Sequence, residues 1–197
     1  MTDETAETRD AILEATRRAL REHGYGELSM AKVAAEFEKS QSLIHYHFDD
    51  REGLIVAFLG RERERFDASL AELPDAPDER LDRLIEDRIA GLTESDTAGL
   101  IGGYLGLHGA ALDNEPIRRE LAALDEALFE ALRKTIDDGI EKGVFRNRDP
   151  ETIARLLVAG HDSAFLRVTL DDSPAAVRDA LARTVLADLR DTGGGDP

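Results

Sequence analysis

The sequence predicts an all-α chain of about nine helices. A three-helix N-terminal head leads into a connecting helix, and a five-helix body follows. Three observations carry this. Apolar residues recur at intervals of three and four almost throughout the 197 residues. The six prolines fall mostly where a helix starts or has just stopped. No apolar–polar alternation of strand type occurs, and no Asn-Gly or Asp-Gly turn joins two such runs.

The first helix is expected over residues 8–23, with Ile12, Thr16, Ala19, Leu20 and His23 on one side. Gly24 and Gly26 end it, because glycine enters the left-handed conformation that closes a helix. Ser29 caps a second helix that turns Met30, Val33, Ala34 and Phe37 inward. Leu28 and Val33 hold the spacing of a hydrophobic staple. Ser40 caps a third helix ending near Phe48. Asp49 or Asp50 caps a fourth, which runs to about Leu73 and is broken by Pro74 and Pro77. Long helices follow over about 78–93, 96–112 and 116–142. Asp149-Pro150 and Ser173-Pro174 each place a capping residue before a proline at the first helical position. They open two last helices, 150–170 and 174–190. The division expected is a helix-turn-helix head over 1–50, a connecting helix with the body over 51–191, and a disordered tail over 192–197.

Acidic residues outnumber basic ones by 42 to 25, for a net charge of −17. Such a field repels nucleic acid and anionic membranes, so a nucleic-acid role needs a local exception. Only four of the cations are lysines (Lys32, Lys39, Lys134, Lys142), and the acidic, Lys-poor composition resembles that of salt-adapted proteins. With no cysteine there is no disulfide or thiolate chemistry. No signal-peptide core and no apolar run near 20 residues occur, so a cytoplasmic protein is expected.

The exception is sought at Ser40–Leu54, which reads SQSLIHYHFDDREGL. At about 100° per residue, Ile44 and Phe48 share the core side of a helix, and Ser42, Leu43 and Tyr46 point away from it. Gln41, His45 and His47 flank them. Leu43 suits a thymine methyl, Gln41 an adenine edge, His45 a guanine, and the Tyr46 hydroxyl a phosphate. Two short helices joined by a tight turn fit a helix-turn-helix.

From these residues the head resembles the tetracycline-repressor (TetR) family, in the order of a first helix ending in glycine, a serine cap before MAKVAAEF, then SQSLIHYHFDDREGLIVAF. Ser40, Tyr46, His47, Phe48, Glu52 and Leu54 match the family pattern; Ile44 and Arg51 are close replacements. The likeness covers residues 8–60. It departs at Phe37, Glu38 and Lys39 in the turn, and at Leu43 and His45. The resemblance implies phosphate contacts from Ser29, Ser40, Tyr46, His47 and Arg51, with Lys39 free to reach phosphate through the altered turn. It implies base or groove contacts from Gln41, Ser42, Leu43 and His45. It also implies a homodimer whose last two helices pair through Leu156, Leu157, Gly160, Ala164, Val177, Leu181, Val185 and Leu189. An effector pocket is expected among Arg88, Tyr104, His108, Phe129, His161 and Phe165. The activity implied is that of a ligand-responsive transcriptional regulator. It would bind a palindromic operator on double-stranded DNA as a dimer, repress there, and be released by a small molecule.

Other chemistries find less support. His45 and His47 lie about 200° apart on a helix and cannot share an ion, so no metal and no cofactor is expected. No catalytic constellation stands out, which argues against an enzyme. The glycines 99, 102, 103, 106 and 109 lack the preceding strand of a nucleotide loop. They fit either close helix packing or room for a ligand. Residues 1–60 carry seven basic groups against twelve acidic ones, net −5, which is poor for a DNA binder. A helical protein-interaction module with a degenerate head is therefore the alternative reading.

Overall fold

The computed structural model describes residues 2–37, 40–89, 97–170 and 173–190, with the side chains of 2–4, 87–89 and 97–98 left out. Lys39, the side chain of Arg88 and the tail 192–197 lie outside the described residues. Among the described residues the chain forms nine helices and no strand. They are α1 (Thr2–Glu27), α2 (Met30–Phe37), α3 (Gln41–His47), α4 (Arg51–Leu70), α5 (Pro77–Ile89), α6 (Thr97–Ala110), α7 (Glu115–Glu141), α8 (Pro150–Val168) and α9 (residues 174–190). The last is continuous but not uniform: α-helix over Pro174–Leu181, a π-helical stretch over Ala182–Leu186, and a closing turn over Ala187–Arg190.

Local chemistry explains the boundaries. Gly24 breaks α1 with φ 68°, as expected, and only three residues continue past it. The Ser29 hydroxyl accepts the Lys32 amide at 3.2 Å, while Leu28 and Val33 are buried as the staple requires. Asp50 rather than Asp49 caps α4, accepting the Gly53 amide at 2.8 Å. Asn114 caps α7 through the Ile117 amide at 3.0 Å. Asp149 and Ser173 accept from Thr152 and Ala175 ahead of their prolines. Ser40 departs from expectation: it stands at the N-cap of α3 in extended conformation, but its side chain makes no capping bond.

Chain contacts divide the molecule into two compact units, residues 1–66 with 95–124 and residues 67–94 with 125–197. This division differs from a cut at residue 50: α6 and the start of α7 belong with the head. Helices α4 and α7 each run from one unit into the other.

The first unit is built on a buried core that includes Ile12, Leu20, Val33, Ile44, Leu54 and Phe58. Ion pairs tie α1 to α4 along its length: Asp10 to Arg61 at 3.1 Å, Glu14 to Arg65, and Arg17 to Glu62. Helix α6 contributes a glycine face. A methyl at Gly99 would strike the Arg21 carbonyl, one at Gly103 would stand 3.1 Å from the Leu20 carbonyl, and one at Gly106 would lie 2.7 Å from Tyr25 Cβ. These three glycines, four and three residues apart, let α6 lie directly on α1. Gly102 and Gly109 face open space. The series is thus split, with one face for packing and the other open.

In the second unit α8 packs on α9, where Leu181 Cδ1 would lie 2.5 Å from a methyl on Gly160. Arg190 reaches Asp82 at 2.6 Å and Arg80 reaches Asp138 at 3.3 Å, fixing α5 to its neighbours. Leu84, Ile85, Leu128, Leu132, Leu157, His161 and Leu181 line a narrow apolar cavity.

Candidate nucleic-acid interface

Helix α3 is anchored by Ile44, fully buried, and Phe48, nearly so. Its opposite side is open. Tyr46 is 79% exposed, with its ring edge-on to His47 at 5.2 Å. Gln41 and His45, one turn apart, approach through their side-chain nitrogens at 3.3 Å, and Ser40 and Ser42 are exposed beside them. An exposed phenol, two imidazoles, an amide and two hydroxyls on two turns of helix form a surface of donors and acceptors. Such groups meet phosphates and base edges. Because Ser40 does not cap, its hydroxyl is left for an outside acceptor. Ser29 keeps its O–H proton, since the cap uses only an oxygen lone pair.

Two expectations change. Leu43 does not point wholly outward; it is half-buried against the head core. An isolated helical wheel leaves out the shoulder that neighbouring helices raise around the core side. Arg51 does not stand clear for phosphate. Its Nη2 donates to the Tyr25 carbonyl, its guanidinium carbon lies 4.0 Å over the Tyr25 ring, and its Nε is buried without a hydrogen-bond partner among the described residues.

Three other described head cations are also engaged from within. Lys32 pairs with Glu27 at 2.9 Å, and its ammonium holds that carboxyl below the usual range. Arg18 pairs with Glu36 at 3.3 Å and donates to its carbonyl at 2.7 Å. Arg9 lies over the Phe48 ring at 5.3 Å. These pairings leave hydroxyl, imidazole and amide groups as the main chemistry of the outward face.

Glu22, His23 and Glu36 bring ligand-capable atoms within 4.8 Å of one another. Sequence spacing missed this group because it spans α1 and α2. Glu36 already faces the Arg18 guanidinium, so its charge is met without an ion.

The expected dimer residues fall into three sets. Leu157, Gly160, Ala164 and Leu189 are buried within the protomer, and Val177, Leu181 and Val185 are half-buried. Leu156 is 47% exposed. Two residues not singled out in the sequence join it: Leu166 at 51%, and Leu170 at 69% just past the end of α8. Of the expected pocket residues, Tyr104 and His108 lie in the first unit; Phe129, His161 and Phe165 lie in the second. Tyr104 donates to Glu62 at 3.3 Å and His108 is exposed. Phe129 is buried with the Arg155 guanidinium 4.5 Å over its ring. His161 lines the apolar cavity, and its ring stands 6.3 Å from that of Phe165.

Comparison with known proteins points to transcriptional regulators. The sequence model for bacterial regulatory proteins of the tetR family matches residues 12–58, and that for the C-terminal domain of BetI-type transcriptional repressors matches residues 77–191. The chain is 26% identical to the HTH-type transcriptional regulator BetI of Rhizobium meliloti (strain 1021), over 95% of this chain and 92% of that one. The crystal structure of a TetR transcription regulator from Haloarcula marismortui ATCC 43049 is similar at TM-score 0.84 and 31% identity, covering 93% of this chain and 99% of that one. A transcriptional regulator from Saccharomonospora viridis, solved in complex with choline, is similar at TM-score 0.79 and 26% identity, covering 93% and 98%.

Proposed function

The chain belongs to the tetR family of bacterial regulatory proteins and carries a BetI-type repressor C-terminal domain, and from that premise we propose that it is a cytoplasmic repressor. It binds a palindromic operator as a homodimer and leaves it when a small organic cation binds. The observation that carries the DNA reading is the outward face of α3, with Tyr46 at 79% exposure among Ser40, Gln41, Ser42, His45 and His47. One head of this size covers too little DNA for high specificity, so two heads present their third helices one helical turn of DNA, about 34–36 Å, or a multiple of it apart. Exposed Leu156 and Leu166 on α8, with Leu170 just past its end, supply the apolar pairing face, to which half-buried Val177 and Val185 of α9 add. Leu157, Gly160, Ala164, Leu181 and Leu189 hold that face from behind.

Two observations favour a quaternary ammonium compound of the choline class as effector. One is the likeness to the choline-bound regulator. The other is the ring pair His161 and Phe165, of which His161 lines an apolar cavity of about 10 Å³, room for one water, that must widen to admit a cation recognised by ring faces and desolvation. Arg155 already occupies one face of the Phe129 ring. Helix α4 runs from this unit to the head and gives the signal a continuous path. Only a difference in cation affinity between DNA-bound and released states drives the release.

The test titrates choline into the chain bound to its operator, followed by fluorescence anisotropy, for wild type and His161→Ala/Phe165→Ala. The wild type should release DNA and the variant should stay bound. Continued binding by both refutes the choline-class effector and leaves the repressor to another ligand.

A further inference from the structure

Three observations in the first unit converge on Tyr25. Its Cβ lies against Gly106 of α6, at 2.7 Å from where a methyl on that residue would stand. Its carbonyl accepts Arg51 Nη2. Its ring lies 4.0 Å beneath the Arg51 guanidinium. Arg51 opens α4 and follows α3 by only three residues. One aromatic residue, just past the Gly24 break in α1, therefore touches α6 on one side and the α3–α4 junction on the other.

We propose that Tyr25 and Arg51 form a latch that positions the recognition helix, and that Gly106 sets the latch by fixing where Tyr25 stands; the proposal rests on the regulator reading above. The sequence placed Arg51 among the phosphate contacts, but the geometry assigns it inward. The guanidinium lies over the ring and also donates to the carbonyl of the same residue, two demands that an ammonium meets poorly. The carbonyl belongs to the last turn of α1, beyond the glycine break, where it accepts the Leu28 amide at 3.2 Å. Arg51 adds a second donor from 26 residues away. The α3–α4 junction is thus pinned to α1, and α1 to α6. Any displacement of α6 acts on Tyr25 directly, because Gly106 leaves no side chain between the two backbones to absorb it.

A phosphate contact and a latch predict opposite behaviour from the conservative variant. Arg51→Lys keeps the charge and would keep a phosphate contact, but it breaks the stacked latch. The full-length chain is compared as wild type, Arg51→Lys, Arg51→Met, Tyr25→Leu, Tyr25→Phe, Gly106→Ala and the Arg51→Lys/Tyr25→Leu double variant. Two readouts are taken: amide hydrogen exchange over residues 41–54 without DNA, and operator affinity as a function of salt. The latch predicts faster exchange there for Arg51→Lys, Tyr25→Leu and Gly106→Ala, with Tyr25→Phe restoring protection. It also predicts that Arg51→Lys and Tyr25→Leu each weaken operator binding by about tenfold with an unchanged salt slope, and that the double variant is no worse than either alone. Silent Tyr25→Leu with unaltered exchange overturns it. So does an Arg51→Lys variant that binds as wild type, or an Arg51→Met variant whose salt slope falls by about one. Exchange that responds as predicted in a chain that selects no operator supports the latch and refutes the regulator reading alone.

Discussion

The molecule exposes two faces of opposite chemistry, α3 in the first unit and α8 in the second. On α3 the outward groups are a phenol, two imidazoles, an amide and hydroxyls, while Leu43 beside them is drawn half into the core. On α8 the exposed large apolar residues are Leu156 and Leu166, followed by Leu170, with Arg155, Asp162 and Arg167 also exposed on the helix. A face that keeps donors and acceptors in water remains stable alone and waits for a partner that uses them. A face that keeps leucines in water is stabilised by covering them, at about 25 cal/mol per Å² of apolar surface removed from solvent. The first is the chemistry of transient recognition of DNA, the second that of a copy of the same chain. Both are proposals, and the contrast between the faces is what can be tested.

The largest effect is expected on the leucine face. Leu156→Asp/Leu166→Asp should give monomers by analytical ultracentrifugation while leaving the protomer helical by circular dichroism, and operator binding should be lost with the dimer. A variant that remains dimeric misplaces the interface. Leu181→Asp is a poorer choice, because Leu181 also covers Gly160 inside the protomer. On the polar face, Tyr46→Phe removes only a hydroxyl and should cost about tenfold in operator affinity with no change in melting temperature, the size of one hydrogen bond to a charged acceptor. Wild-type affinity in that variant would mean the phenol is not a phosphate contact.

Helix α6 repeats the contrast within one element. Gly99→Ala drives a methyl into the Arg21 carbonyl and should destabilise by about 1–3 kcal/mol, as overpacking does. Gly109→Ala meets nothing and should stabilise by about 0.5–1 kcal/mol through reduced backbone freedom. Equal effects at the two positions would refute the split of the glycine series into a packed and an open face. A smaller effect is expected in the salt dependence of operator binding. With Lys32, Arg18 and Arg9 held by Glu27, Glu36 and the Phe48 ring, counterion release is weak, and the slope of log affinity against log salt should be shallow. A steep loss between low and moderate salt contradicts this.

The smallest effect concerns pH. Asp149, held down by the Thr152 hydroxyl and amide, and Asp188, held down by Arg148, both titrate below their ordinary value of 3.8 when folded. A depressed carboxylate stabilises the fold above its unfolded value, and that contribution disappears as pH falls through the folded one. The melting temperature of Asp149→Ala and Asp188→Ala should therefore approach that of wild type as pH drops below 3.8. A gap that stays constant would show that these groups act by packing.

What the sequence revealed and what it hid follow one rule. Features set by neighbours within a few residues were legible: the caps Ser29, Asp149 and Ser173, the break at Gly24, and the exposure of Tyr46 opposite Ile44. Features set by distant chain were not. Arg51 was expected as a phosphate contact, and its bond to the Tyr25 carbonyl, 26 residues earlier, left no mark in the spacing. The glycine series was read two ways because only α1 decides which glycines it presses on. The dimer residues were drawn from both sides of α8, since Leu157, Gly160 and Ala164 look as apolar in sequence as Leu156 and Leu166 do. Ser40 sits where a cap belongs, yet makes no capping bond in the fold, a choice of side-chain rotamer that no spacing records.

The central claim is that α3 reads DNA in pairs. The direct measurement is a selection of bound genomic fragments at low and multimolar salt, comparing wild type with Tyr46→Ala/His47→Ala. The account predicts a palindromic motif whose half-sites are spaced by a helical turn of DNA or a multiple of it, enriched by wild type and absent with the variant. No enriched motif at either salt would contradict it and leave the exposed face of α3 to a protein partner.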